Sequence, residues 1–376
     1  MSHSAARSAP PAALDLFAGA GGLGLGLTWA GFRVQAANEY ERVFAETYAR
    51  NHPETAVVAG NVLDPAVRAQ LLAAAQGVDL VAGGPPCQGF STVGKKDEDD
   101  PRNRLFYAFL DVVAHLRPRA VLFENVSGFR RMYGGRAFQA LYRGLEDLGY
   151  ATPQCEILNA LEYGVPQARL RTFVVAFRKE TAFRFPEPTH GERGEVFRRR
   201  PPLTLADALS DLPPVRSGES ADRYLRPPQN DYQRKLRAGA GETLTEHAGP
   251  WHGARLLNVL ARVPPGGSIL DVPAELRPKS CFANTYARLW WERPSTTITR
   301  NFGTPSSSRC IHPLFDRGLT TREGARLQSF PDRYEFAGSR IRKNLQIGNA
   351  VPPLLAEALG REIFRALTAP AGASGA

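Results

Sequence analysis

Leu14-Asp15-Leu16-Phe17-Ala18 runs directly into Gly19-Ala20-Gly21-Gly22-Leu23-Gly24. Five mostly apolar residues bounded by glycines read as a buried strand. Gly19, Gly21 and Gly24 match G-x-G-x-x-G, a turn that carries a strand into a helix and lets the backbone approach a ligand. Glu39 follows Gly19 by 20 positions, at the end of the next apolar run. A carboxylate there can accept both hydroxyls of a ribose, and Tyr40 beside it can lie flat against adenine. The pattern suits a dinucleotide or S-adenosylmethionine, or a tight turn that binds nothing. Asp15 ahead of the glycines favours the sulfonium cofactor, because a carboxylate can pair with an ammonium group.

Working outward, apolar runs at 14–18, 33–37, 56–59, 79–82, 120–123 and 172–177 predict strands. Between them 43–51, 66–75, 105–116 and 138–148 carry helical periodicity. Strand alternating with helix means an α/β fold with a mostly parallel sheet covered on both faces. From about residue 185 proline and arginine rise, and helical periodicity is sparse until about 321. That stretch predicts a smaller, irregular second lobe. Helix returns at 322–329 and 353–367. The expected division is therefore 1–186 plus 338–376 as a discontinuous catalytic and cofactor-binding domain, with 187–337 as the second lobe.

The chain has 376 residues, well beyond one average domain of about 150, and a net charge of +10. Residues 187–337 hold 22 Lys/Arg against 17 Asp/Glu, half of the whole excess in fewer residues. Such an excess favours a polyanionic partner. None of the four cysteines sits at C-x-x-C spacing, which argues against a zinc ribbon or a disulfide scaffold. No metal site is expected. His247 and His252 have no nearby cysteine and read as ordinary histidines. The start has no continuous apolar core, and no stretch approaches a membrane span. The sequence after Arg365 reads as a disordered end. A reduced, cytoplasmic protein is the expectation.

Three further strand ends carry chemistry. Gly83-Gly84-Pro85-Pro86-Cys87-Gln88-Gly89-Phe90-Ser91 places a cysteine in a stiffened loop with glycines on both sides. Ligands bind at the strand ends of an open sheet, so Cys87 is a candidate nucleophile. Cys155, Cys281 and Cys310 lack such a setting. Glu124-Asn125-Val126 ends another apolar strand, and a carboxylate there can have a raised pKa and donate a proton. Gln167-Ala168-Arg169-Leu170-Arg171 leads into 172–177, and alternation puts Gln167, Arg169 and Arg171 on one side.

With these elements in this order, the sequence resembles the bacterial cytosine-C5 DNA methyltransferases. DLFAGAGG at 15–22, PPCQGFS at 85–91, ENV at 124–126, QARLR at 167–171, REGARLQSFP at 322–331 and GNAVPP at 348–353 carry the resemblance. It implies a Rossmann-like sheet that binds S-adenosylmethionine, with a DNA target-recognition lobe and hinge at 187–337. It implies that Cys87 attacks C6 of a flipped-out cytosine, that Glu124 bonds N3 and the amine, and that Arg169 and Arg171 orient the base or its neighbours. Phe17, Gly19, Gly21, Gly22, Glu39, Tyr40, Leu105, Asn349 and Ala350 would form the cofactor site. Asn61 stands where the family often has Asp against the adenine amine, with Asp64 a lesser substitute. The implied partner is duplex DNA, the state a monomer that joins the nucleoid when bound, and a companion a restriction endonuclease encoded nearby. A tRNA cytosine methyltransferase, a catalytically silent DNA-binding module and an NAD oxidoreductase are the alternatives.

Overall fold

The computed structural model describes residues 9–86, 104–191, 199–278, 282 and 284–369. Seven strands form one mixed sheet: β1 (Ala12–Leu16), β2 (Arg33–Glu39), β3 (Ala56–Ala59), β4 (Leu80–Gly83), β5 (Ala120–Val126), β6 (Gln154–Asn159) and β7 (Leu170–Phe177). Their order is β3-β2-β1-β4-β5-β7-β6. β1 to β5 run parallel, and β7 lies antiparallel between β5 and β6. The order reverses between β1 and β4, and a crevice outside the strand ends opens at such a point.

Helices cover both faces. α1 (Gly22–Trp29), α2 (Arg42–Asn51), α3 (Pro65–Ala74), α4 (Arg104–Leu116) and α5 (Arg136–Asp147) belong to the first half. One core joins Leu14, Leu16, Val81, Val121 and Phe123 of the sheet to Phe106, Phe109, Leu141 and Leu145 of α4 and α5. The other joins Ala13, Leu80, Leu122 and Phe173 to Leu23 and Leu27 of α1 and to Leu355, Leu359 and Ile363. Those last three belong to α11 (Pro353–Thr368).

The stretch read as the second lobe carries mostly short elements. It contributes α6 (Leu205–Leu209), α7 (Asp231–Arg237), α8 (Ala254–Leu260) and α9 (Thr321–Leu327), with two short paired strands, β8 (Ala287–Arg288) and β9 (Arg309–Ile311). α10 (Arg340–Asn349) then leads into α11. The lobe has two cores. Val259, Leu260, Val263, Ile269, Val272 and Ile311 form a small one. The larger, with Leu205, Tyr232, Leu289, Phe302, Phe330 and Tyr334, also takes in Ala20 and Leu25 from the glycine segment. α1 is thus packed on both sides.

α1 is the helix into which the glycine turn was expected to lead, and the glycines of its Gly-Leu-Gly-Leu-Gly-Leu sequence let neighbours approach. A Cβ on Gly26 would lie 2.3 Å from Ala356 Cβ. β6 is an edge strand with a largely exposed, polar sequence, so no apolar run announces it. α10 is strongly basic and carries its N-cap on Ser339, whose Oγ accepts from the Arg342 amide.

Candidate active site

The strand-end loop after β1 is built from backbone conformations that favour glycine. Gly19 has φ 56° and Gly21 φ 88°, and Phe17 also sits at positive φ (59°). Glu39, at the end of β2, fastens the loop: its Oε2 accepts from the Gly19 amide (2.8 Å) and its Oε1 from the Glu41 amide (2.8 Å). Burial holds its carboxyl above the usual range. Tyr40 beside it is 66% exposed. Open space lies on the Cβ side of Gly19. Gly22 has no such space, because a Cβ there would meet the Val351 carbonyl at 2.3 Å and Ala350 Cβ at 3.3 Å. The segment at 349–351 therefore closes one wall of the loop, with Asn349 exposed and Ala350 buried.

Asp15 differs from the reading that pairs it with an ammonium group. It is fully buried beneath the loop. Tyr48 of α2 donates its hydroxyl to Asp15 Oδ2 (3.1 Å), and Oδ1 has no hydrogen-bond partner. Burial pushes the carboxyl up to about 8. The residue therefore supports the turn from below. Asn61 is exposed, and its amide oxygen accepts from the Leu63 amide (3.0 Å). Asp64 is committed to capping α3, accepting from Ala66 and Val67. Leu105 is half-buried in the first turn of α4.

The second cluster sits at the ends of β4, β5 and β7. Glu124 and Arg171 face one another diagonally across the β5–β7 ladder, with Arg171 Nε 3.0 Å from Glu124 Oε1. The Glu124 side chain is 13% exposed. Burial raises its pKa, against the lowering pull of Arg171 and Arg169. The chain leading toward Cys87 passes directly over it: a Cβ on Gly84 would lie 2.5 Å from Glu124 Oε2. Asn125 Nδ2 donates to the Pro85 carbonyl (3.0 Å), tying the same segment to β5. Cys87 itself lies outside the described residues, as do residues 88–103 and Cys281.

Gln167, Arg169 and Arg171 share a side, as alternation predicts, but differ in depth. Gln167 is fully buried, donating to the Leu327 carbonyl and Gln328 Oε1 (both 2.9 Å) and accepting from the Ile298 amide (2.8 Å). Arg169 is enclosed as well. Its guanidinium donates to the carbonyls of Ile298 (3.0 Å) and Gly348 (2.8 Å). Burial, with the Arg171 charge close by, pulls its pKa down to about 9. These two side chains lock the start of β7 to the second lobe and to α10. Of the three, Arg171 is the one that pairs with Glu124.

The other described cysteines are poor nucleophiles. Burial raises the Cys155 thiol, and pushes that of Cys310 to about 12. His247 is buried, within 3.2 Å of Thr320 Oγ1 and donating from Nε2 to the Pro213 carbonyl (2.8 Å). Among the described residues no helix is long and apolar enough to cross a membrane.

A sheet of this order, a glycine loop at its switch point and a Glu–Arg pair under the segment that leads to Cys87 suit a Rossmann-like, cofactor-dependent transferase. The sequence model of the C-5 cytosine-specific DNA methylases matches residues 12–365, and the chain belongs to that family. It is 35% identical to the type II methyltransferase M.AgeI of Thalassovita gelatinovora, over 94% of this chain and 99% of that one. It is also 35% identical to M.DdeI of Desulfomicrobium norvegicum, over 93% and 88%. Among solved structures, an E. coli prophage chain described as a DNA modification methyltransferase superposes with a TM-score of 0.75 at 26% identity, covering 95% of this chain and 99% of that one. The S. pombe Dnmt2 methyltransferase shares the fold at a TM-score of 0.61 and 19% identity, covering 94% and 98%.

Proposed function

We propose that this chain methylates C5 of a cytosine within a specific duplex DNA sequence, using Cys87 as nucleophile and Glu124 as acid. The observation that carries this reading is the Glu124–Arg171 pair: a carboxyl with a raised pKa, under the segment that leads to Cys87. Cytosine C5 is a weak nucleophile. Addition of the Cys87 thiolate at C6 makes it electron-rich and divides one difficult step into easier ones. A protonated Glu124 donates to N3, so that the ring nitrogen takes up the electron pair as the C6–S bond forms. Arg171 holds the Glu124 carboxyl in place and reaches toward O2 of the base. Arg169 acts on neighbouring groups, anchoring β7 through Ile298 and Gly348. Once C5 carries the methyl group, a base takes the C5 proton, β-elimination breaks the C6–S bond to return the thiolate, and N3 gives its proton back to Glu124. The reacting atoms lie inside a stacked duplex, so the target base must be extruded.

The glycine loop suits S-adenosylmethionine, with Glu39 toward the ribose, Tyr40 toward the adenine, and Phe17, Gly19, Gly21, Gly22, Asn61, Leu105, Asn349 and Ala350 around it. When bound, that cofactor supplies an electrophilic methyl group. The lobe at 187–337 reads the DNA. Arg288, Arg317 and Arg326 are spent on Asp316, Glu323, Asp211 and Asp332 inside it. The net positive charge therefore resides on its other residues, where it sets affinity and salt dependence. The protein acts as a monomer in the cytoplasm, at the nucleoid when on DNA, as the modification partner of a restriction endonuclease.

The deciding experiment measures tritiated-methyl incorporation into duplex DNA by wild type and Cys87→Ser, with a 5-fluorocytosine duplex as trap. Loss of incorporation in the variant and a denaturant-stable adduct mapping to Cys87 are expected. Unchanged incorporation, or an adduct at Cys281 or Cys310, would overturn the assignment.

A further inference from the structure

Beneath the glycine loop lies a buried polar chain that reaches it from the second lobe. Tyr334 follows α9 and belongs to the larger second-lobe core. Its hydroxyl donates to the Ala20 carbonyl (2.5 Å), the peptide between the two left-handed glycines. On its other side it stands 3.1 Å from His52 Nε2. The Tyr334 proton is committed to Ala20, so His52 Nε2 carries the hydrogen of that second bond. Burial first, then the Arg333 charge, brings His52 down to about 4, which leaves the ring neutral at pH 7. The His52 ring packs 4.4 Å from Tyr48, which holds Asp15 under the same turn.

The position of Tyr334 is independently fixed. Asn51 exchanges hydrogen bonds with the Glu335 carbonyl (2.8 Å) and amide (3.0 Å), and the Ala337 amide donates to Thr47 Oγ1 (2.8 Å). The hydroxyl also fills the space a side chain on residue 21 would need: a Cβ on Gly21 would lie 2.7 Å from it. A strained loop persists only where its surroundings over-determine it. Here the constraint comes from a residue of the opposite lobe, more than 300 positions away in the chain.

We infer that Tyr334 is a positioning residue for the cofactor. It holds the Ala20 peptide so that the loop from Phe17 to Gly22 is set for the ligand before the ligand arrives. The inference rests on the reading of that loop as the S-adenosylmethionine site. Removing the hydroxyl leaves the ring packed on Phe330 and Phe336 but frees the loop.

The test compares Tyr334→Phe with Tyr232→Phe in the full chain. Tyr232 belongs to the same core and also donates to a backbone carbonyl, but to that of Arg326 in α9 and not to one of the loop. Titration calorimetry with S-adenosylhomocysteine is expected to show Kd raised about tenfold in Tyr334→Phe, the order expected for one lost buried hydrogen bond, and unchanged in Tyr232→Phe. KM for S-adenosylmethionine rises with it, while kcat at saturation stays within about twofold, as for a lost uniform binding contribution. A Kd within twofold of wild type in Tyr334→Phe, or an equal rise in Tyr232→Phe, overturns the inference. Should Tyr334→Phe not fold, His52→Ala decides: a smaller rise in Kd supports the proposal and no rise overturns it. Wild type that does not bind S-adenosylhomocysteine removes the cofactor reading itself, and the inference with it.

Discussion

Glu124, at the mouth of the sheet, and Glu323, inside the second lobe, are both enclosed carboxylates facing arginine, yet they are driven in opposite directions. Glu323 is grasped by both ends of Arg317 (2.8 and 2.7 Å) and accepts the Thr320 amide (2.8 Å) as the N3 residue of a capping box. Burial alone would raise its pKa, but Arg317 and the nearby histidines overcome it and hold the carboxyl far below the usual range. Among the described residues Glu124 has one guanidinium contact and no backbone amide donor, and there burial wins. Charge-assisted hydrogen bonds to a carboxylate decide its proton. A saturated carboxylate is a fixed part of the scaffold. A carboxylate with fewer such bonds is left with the raised pKa that burial imposes.

Three substitutions strain that contrast. The largest effect belongs to Glu124→Gln: methyl transfer should fall about 10²–10⁴-fold, the range of a lost general acid, with the melting temperature retained. A variant that turns over near the wild-type rate would place the acid elsewhere. Next comes Glu323→Gln, which leaves Arg317 buried without its counter-charge and should cost about 3–5 kcal/mol in urea unfolding. The sign with pH follows. The folded pKa of Glu323 lies below its unfolded value of 4.5, so its contribution is present above that pH and lost as pH falls. Wild type and variant should therefore converge in stability on acidification below about pH 4.5. Smallest is Asp15→Asn. Asp15 is raised from 3.8 to about 8, so the stability linked to its proton is full below 3.8 and is lost as pH rises through 8. The variant's melting temperature should gain on wild type between pH 5 and pH 9. Parallel curves would mean that Asp15 is ionised in the fold.

The strand-end positions of Glu39, Glu124 and Arg171 were legible, because there a short apolar run, a turn and a polar side chain are contiguous. What escaped depends on partners distant in the chain. Nothing near Asp15 tells that Tyr48 will bond it, so it read as a ligand contact. Nothing in the spacing of Gln167, Arg169 and Arg171 tells that Ile298 and Gly348 wait for the middle one. Tyr334 lies three residues past the REGARLQSFP stretch, its target is the Ala20 carbonyl, and a backbone oxygen leaves no trace in sequence. β6 escaped for the converse reason: an edge strand buries too little to need an apolar pattern.

The close crossing of α1 and α11 bears on how the protein comes into being. Gly26 meets Ala356 across 330 positions of chain, and Gly360 meets Ala30 and Leu27. During synthesis one face of the first strands stays bare until α11 has left the ribosome. Local helices can form early, but this half of the core must wait, and contacts so distant in sequence slow folding. Completion of the core beneath the glycine segment therefore waits for α11.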